Sequence, residues 1–277
     1  MRFRYFFPFA MLVPAMSWAG EPLLAGTWII QPELTTFQVF RSPSLIPPLI
    51  SLDRGVYRRI DCRGDPIDMP ADGSFHEVKK QPFFNQMSVR VVDSHRVVVV
   101  QKLGDRTTWK GTYTVAKSGA EMTLEFENDL AVEPVTGALQ YVREGIAVAG
   151  AHPITGTWNP QKLIRLSPSG SSLNFTLEGT ATDQDARDTF TYRASDGRTA
   201  EGTADAHDYP LRGTLDGATL SLYHIASNVW SMNHKQNGAL VEMLSAKVSD
   251  DGNIMTLKQT DLICHEIANF TLKKTQL

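Results

Sequence analysis

The sequence of 277 residues predicts an all-β fold of two tandem antiparallel meander β-barrels or half-barrels, related by internal duplication. The first observation is a repeat: residues 71–124 and 204–257 read as two copies of one sequence, in register and without a gap. The matches include Ala71-Asp72 with Ala204-Asp205, Lys102 with Lys235, and Met122-Thr123-Leu124 with Met255-Thr256-Leu257. The second observation is the period of the apolar residues, which is that of strands. A repeat of about 130 residues has the size of a whole domain.

The first 19 residues are predicted to be a secretory signal peptide rather than part of the fold. Arg2 and Arg4 give a basic start, an apolar run extends from Phe6 to Ala15, and Ser17-Trp18-Ala19 offers small residues at a cleavage site. The apolar run is too short to span a bilayer, and no later stretch is long enough to be an integral membrane segment. We therefore expect export, with cleavage near Ala19 and a periplasmic or extracellular mature chain.

Short strands separated by turn residues follow in each copy. In copy one we predict strands at 87–92, 96–101, 109–115 and 122–127, and in copy two at 220–225, 229–234, 240–245 and 255–260. Hairpin loops at such regular spacing are typical of an antiparallel meander. Closing the meander into a barrel removes its exposed edges, and a barrel of about eight strands is filled by its own side chains or holds one small ligand.

The two domains are predicted to span residues 20–148 and 149–277. The boundary lies in a short apolar segment from Glu144 to Pro153, which differs from a flexible Gly/Ser tether and indicates that the barrels touch. One segment departs from the repeat, because Ser42–Ile50 is apolar and contains three prolines that exclude it from a central strand. We interpret this segment as a lid over a barrel mouth or as an extended stretch packed on the other domain.

A further repeat marks the start of each domain, because Gly26-Thr27-Trp28 recurs as Gly156-Thr157-Trp158. The triplet resembles the glycine-any-tryptophan signature that begins lipocalins. With His207–Gly213 and Val248–Thr256, the second copy also resembles a group of exported bacterial lipocalin-like proteins of the calycin type.

This resemblance implies that each tryptophan packs at the closed end of a barrel, beneath a basic residue of the last strand. It places Arg143 over Trp28, and Lys273 or Lys274 over Trp158. Trp28, Trp158 and Arg143 are therefore expected to be structural residues that do not contact a ligand. A buried ring beneath a cation gains about 0.5–2 kcal/mol beyond its area burial.

Cys62 and Cys264 are the only cysteines of the chain, and they lie at non-equivalent places in the two copies. In an exported protein such a pair is a candidate disulfide, which here would join the two domains. The alternatives are two buried thiols or a catalytic thiol with His265 as its base. The last is disfavoured, since adjacent residues of a strand point to opposite faces.

The remaining candidates for chemistry are scattered. His224 and His234 lie on neighbouring predicted strands, but no two histidines have the spacing of a metal site, so no metal and no cofactor are predicted. No catalytic motif is present. Glu125, Glu127 and Glu242 lie in predicted strands; an inward carboxylate could serve acid–base chemistry, but the alternation favours outward, solvated positions.

The net charge of −3 is interspersed along the chain, which argues against nucleic acid and anionic membranes as partners. The preferred hypothesis is a monomeric, non-enzymatic binding protein for a small apolar or amphipathic ligand, with ligand residues that the sequence does not identify. The first alternative is an enzyme acting on a lipid or isoprenoid substrate, which a strongly raised carboxyl pKa inside a barrel would favour. The second is an envelope interaction module with filled barrels, contacting its partner through the loop from Leu45 to Ile50.

Overall fold

The computed structural model describes residues 23–39, 49–60, 66–178, 188–226, 228–261 and 266–275. The predicted signal peptide, Cys62, Cys264 and His265 lie outside these residues, and of the proline-rich segment only Leu49 and Ile50 are described. Within the described ranges the chain forms strands and two short 3-10 turns, at Pro32–Leu34 and Pro168–Gly170. No helix in these ranges has the length and apolar character needed to cross a membrane.

The strands in chain order are β1 Gly26–Ile30, β2 Thr36–Val39, β3 Leu49–Asp53, β4 Val56–Ile60, β5 Pro66–Pro70, β6 Asp72–Glu77, β7 Gln86–Asp93, β8 Arg96–Leu103, β9 Arg106–Val115, β10 Glu121–Asn128, β11 Val135–Glu144, β12 Gly156–Leu166, β13 Ser172–Glu178, β14 Thr189–Ala194, β15 Thr199–Thr203, β16 Tyr209–Pro210, β17 Ala218–Ala226, β18 Val229–Gln236, β19 Ala239–Val248, β20 Ile254–Asp261 and β21 Glu266–Lys274.

These strands form two antiparallel sheets, each rolled into a nearly closed barrel, as predicted. Barrel one contains ten strands in the order β5-β4-β3-β12-β11-β10-β9-β8-β7-β6. Barrel two has the order β15-β14-β13-β1-β21-β20-β19-β18-β17-β16, and β2 adds to β21 as its eleventh strand. The two orders match strand for strand, which is the structural form of the sequence repeat.

Each barrel is drawn together where its end strands meet. In barrel one the end strands β5 and β6 are separated along the chain by Ala71 alone. In barrel two Thr199 pairs with Arg212 through hydrogen bonds of 3.1 and 2.8 Å between their backbones. The pairing of Thr199 with Arg212 engages backbone groups that an open sheet edge would leave exposed.

The sheets and the sequence repeat are offset by one strand. β1 begins the first copy, yet it pairs with β13 and β21 in barrel two. β12 begins the second copy, yet it pairs with β11 and β3 in barrel one. We call β1 and β12 the exchanged strands. The predicted boundary between residues 148 and 149 lies in the connection from β11 to β12, which are neighbours in one sheet.

The exchange changes which cation covers which tryptophan. Arg143 lies over Trp158, with its guanidinium carbon 4.2 Å from the ring centroid, and Lys274 lies over Trp28 at 5.5 Å. The pairing expected from the resemblance, Arg143 over Trp28 and Lys273 or Lys274 over Trp158, is therefore wrong. The reason is that each tryptophan sits on an exchanged strand, opposite the last strand of the other copy.

Both tryptophans are buried in the barrel cores, with 0% of Trp28 and 1% of Trp158 exposed. Each indole N–H donates at 2.8 Å to the carbonyl four residues earlier, that of Leu24 or Ile154. Arg143 further donates to the carbonyls of Gly119, Thr155 and Pro153. Backbone acceptors thus hold the cation over its ring.

Candidate functional site

A single cavity of about 590 Å3 runs across the junction of the two barrels and is lined by both. We call it the shared cavity. Its rim includes contacts between the barrels: Glu133 donates its N–H to the carbonyl of Asp196 at 2.8 Å, and the Thr214 hydroxyl donates to the carbonyl of Leu130 at 3.0 Å. The volume falls within the range of sites for small organic ligands, about 300–1,000 Å3. Neither Trp28 nor Trp158 is among its lining residues.

The wall that barrel one contributes is mainly apolar. Its large side chains are Phe83, Phe84, Trp109, Phe126 and Leu139. Two glycines beside the rings make room for them, because a Cβ at Gly111 would overlap the Trp109 indole and one at Gly137 would overlap Phe126. This wall can bury hydrocarbon and offers it few hydrogen-bond partners.

The wall that barrel two contributes contains a group of polar side chains, Arg198, His234, Glu242 and Gln259, which we call the polar recess. His234 Nδ1 lies 3.6 Å from Glu242 Oε2, and Gln259 donates its side-chain amide to Glu242. His234 and Glu242 are 12% and 20% exposed at the side chain, so the pair is largely buried. Arg198 donates through Nε to Asp196 at 2.8 Å.

Strand alternation explains why Glu242 faces inward. It shares its face of β19 with Leu244, Ala246 and Val248, of which the last two are fully buried. A register irregularity between β18 and β19 follows directly after the pair of His234 with Glu242. The outward position expected for Glu242 is therefore wrong.

The other two glutamates considered in the sequence follow the expectation. Glu125 and Glu127 are exposed on the outer face of β10, whose inward residues Met122 and Leu124 are buried. The Glu125 carboxylate accepts a hydrogen bond from Arg165 at 3.1 Å across the surface. These carboxylates take no part in the cavity.

Opposing effects determine the charge of Glu242. Burial alone raises its pKa, but His234, the charge of Arg198 and the amide of Gln259 together hold the pKa of Glu242 below its ordinary value. Burial likewise lowers the pKa of Arg198, yet Tyr192 and the neighbouring carboxylates outweigh it and raise that pKa. The recess therefore contains an ionised carboxylate and a guanidinium at neutral pH.

One atom of the recess lacks a partner. Nε2 of His234 is buried and has no hydrogen-bond partner among the described residues. A buried polar atom left unpaired costs about 1–3 kcal/mol. The recess is thus incomplete as a hydrogen-bond network at this nitrogen.

The repeat supplies an internal comparison. Gln101 and Trp109 are paired in barrel one as His234 and Glu242 are in barrel two. Phe126 occupies the position that corresponds to Gln259. Alignment of the two copies could therefore have identified the polar recess, which the spacing of the histidines does not reveal. Copy two has His234 and Glu242 where copy one has Gln101 and Trp109.

The other predicted sites do not join the cavity. His224 is exposed and stacks on Trp230, with ring centroids 4.4 Å apart. Across the described ranges, no three His, Cys, Asp or Glu side chains are grouped so that they could hold a metal ion.

Comparison with known proteins leaves the family open, since no family model matches the chain and no curated protein matches it either.

Proposed function

We propose that the chain is an exported binding protein that holds one small amphipathic molecule in the shared cavity without changing it chemically. The observation that carries the proposal is the division of one cavity into an apolar wall from barrel one and a polar recess from barrel two. Removing about 300 Å2 of ligand hydrocarbon from water contributes about 7 kcal/mol, from which the cost of association is subtracted.

Native mass spectrometry of protein purified from its own compartment tests the proposal most directly. We expect a reproducible extra mass that is lost on denaturation and that identifies the class of the cargo. A bare polypeptide at the mature mass, with no saturable binding of added ligand, would contradict the proposal. That result would favour the interaction module with filled barrels.

Binding of the neutral fluorescent probe N-phenyl-1-naphthylamine tests the location. Ala268 lines the cavity, so Ala268→Phe should fill part of it and weaken binding by about tenfold. Ala239 is exposed on β19, and Ala239→Phe is the matched control with no expected effect. Binding should persist in molar NaCl, because the driving force is apolar; equal affinity of both variants, or loss of binding in salt, would count against the cavity.

An enzyme is the second candidate, favoured by the pair of His234 and Glu242 inside the cavity, since a base held by a carboxylate is a common catalytic arrangement. The lowered pKa of Glu242 is the opposite of the raised carboxyl pKa that would mark a buried acid. Cargo of two masses related by one chemical step in the wild type, but of a single mass in His234→Leu, would establish the enzyme instead of the carrier.

A further inference from the structure

The apolar wall of barrel one contains two inward glycines, and what they imply for the cargo rests on the proposed function. Gly111 of β9 and Gly137 of β11 flank Phe126 of β10, because the register pairs Phe126 with both. A glycine inside a strand weakens a sheet, and it often marks a place that a ligand or another group approaches closely. Two such residues beside one cavity therefore need an explanation other than the stability of the sheet.

An aromatic ring lies over each glycine. A Cβ at Gly111 would overlap three atoms of the six-membered ring of Trp109, which precedes it by two residues on the same face of β9. A Cβ at Gly137 would overlap Cζ and Cε1 of Phe126. Rings that occupy the place of a Cβ lie along the sheet instead of standing up from it. The two rings thus form a low surface, which we call the aromatic floor.

The aromatic floor can be reached from the cavity. Trp109 and Phe126 both line the shared cavity and both are only half-buried, whereas Gly111 and Gly137 beneath them are buried. Both rings also pack against the core of barrel one. The protein therefore supports each ring from below and leaves part of its surface to a ligand.

The spacing of the strands gives the width of the floor. Neighbouring strands lie about 4.8 Å apart, so Gly111 and Gly137, which are separated by β10 alone, lie about 10 Å apart. The rings of Trp109 and Phe126 lie over these two positions. A ligand of two or three fused six-membered rings is long enough to contact both.

Barrel two has no such floor at the corresponding positions, all of which the structure describes. Gln259 replaces the phenylalanine, and its cross-strand neighbours are Leu244 and Ala268, which both carry side chains. Glu242 replaces the tryptophan. The glycines and the rings are thus present together in one copy and absent together in the other, which indicates that the glycines serve to place the rings.

We infer that the aromatic floor binds a flat, unsaturated ring system, so that the cargo contains two or three fused planar rings and is not a flexible hydrocarbon chain. Aromatic rings attract one another in offset-stacked arrangements beyond the gain from area burial. A rigid ring system also loses less conformational freedom on binding than a chain does. A chain would gain the same apolar area from leucine or alanine, and it would need neither the rings nor the glycines beneath them.

Three neutral alcohols of ten carbons test the inference by isothermal titration calorimetry. The flat compound is 2-naphthol, decahydro-2-naphthol has the same skeleton but is saturated and puckered, and 1-decanol is a flexible chain. Apolar area alone would favour the two saturated alcohols. We expect 2-naphthol to bind about tenfold more tightly than decahydro-2-naphthol, the equivalent of about 1.4 kcal/mol, and also more tightly than 1-decanol.

Two pairs of variants locate the effect. Trp109→Leu removes one ring and should bring the affinities for the two bicyclic alcohols close together, whereas Phe75→Leu changes an exposed ring outside the cavity and should keep the wild-type ratio. Gly111→Ala displaces the indole from the sheet into the cavity and should weaken binding of 2-naphthol about tenfold. Gly202→Ala places a Cβ against the Tyr209 ring in the same way, away from the cavity, and should leave that affinity unchanged.

Thermal unfolding shows which variants are folded, and each outcome then decides. Equal or tighter binding of decahydro-2-naphthol or 1-decanol, or an unchanged ratio in a folded Trp109→Leu variant, would overturn the flat-ring cargo and leave the carrier standing. If Trp109→Leu does not fold, equal affinity of Gly111→Ala and Gly202→Ala for 2-naphthol would overturn it. Failure of N-phenyl-1-naphthylamine and of all three alcohols to bind would overturn the carrier function and the aromatic floor as its site.

Discussion

The exchanged strands can be tested by cross-linking. Thr27 of β1 lies directly opposite Asn174 of β13, and the Asn174 amide donates to the Thr27 hydroxyl at 2.7 Å. Directly opposite residues have Cβ atoms about 4.5–5.5 Å apart, close to the reach of a disulfide. The variant T27C/N174C should therefore form an intramolecular disulfide on mild oxidation.

The size of the effect follows from the chain length enclosed. The two positions are 147 residues apart, and for a loop of this length the chain-entropy relation gives an upper limit of about 5 kcal/mol, while measured disulfides typically contribute about 2–4 kcal/mol. At about 2–4 °C per kcal/mol for a chain of this size, Tm should rise by about 5–15 °C in the oxidised form relative to the reduced form.

Two further cysteine pairs complete the design. L49C/T157C joins β3 to β12, which are neighbours in barrel one, and should also cross-link. T27C/L49C would join β1 to β3, as an arrangement without exchange requires, and should not. Non-reducing electrophoresis with peptide mapping reads the result, since Cys62 and Cys264 are present in every variant. A cross-link in T27C/L49C, with none in T27C/N174C, would refute the exchange.

Three further outcomes are expected. Arg143→Met should lower the free energy of unfolding by about 2–4 kcal/mol, because it removes a cation–π contact and three charge-assisted hydrogen bonds. Lys274→Met removes only the cation–π contact with Trp28 and should lower the free energy of unfolding by about 0.5–1 kcal/mol. Equal effects of the two substitutions in denaturant titrations would contradict this account. Since the pKa of Glu242 is lowered by folding, its contribution to stability is present above its unfolded pKa and is lost as pH falls through the folded value. The free energy of unfolding of the wild type should therefore fall more steeply below about pH 4.5 than that of Glu242→Gln, and parallel curves would refute this. The triple variant H234Q/E242W/Q259F, which gives barrel two the recess residues of barrel one, should remain folded with about unchanged or higher stability in chemical denaturation, and a loss of several kcal/mol would show that the recess is structural.

The sequence repeat was sufficient to predict the all-β fold and the paired barrels, because alternation and turn residues are local signals. It could not predict the exchange. Gly26-Thr27-Trp28 and Gly156-Thr157-Trp158 present the same side chains, so either strand could pair with the same neighbouring strands in either barrel. The choice depends on the connections, and the one from β11 to β12 lets β12 fold back as the next strand of the same meander.

Part of the candidate site could be predicted from the sequence. Glu242 could have been placed inward from Leu244, Ala246 and Val248, which share its face of the strand. His234 would then have followed as its neighbour on β18. The shared cavity could not be predicted, because it depends on how the barrels meet, and the period of a strand carries no information about that arrangement.

The recess is also hard to explain as a device for stability. Burying a carboxylate, a guanidinium and an imidazole together costs desolvation that their mutual attraction repays only in part, and apolar replacements of such groups are often neutral or stabilising. Barrel one shows that this fold closes with Trp109 and Phe126 at the positions where barrel two has Glu242 and Gln259. Two copies of one fold thus share their tryptophans, covering cations and strand order, but differ at the wall of the cavity. The ionisable pair of His234 and Glu242, which stands at the cavity wall in one copy only, is what selection for a ligand would leave and selection for stability alone would remove.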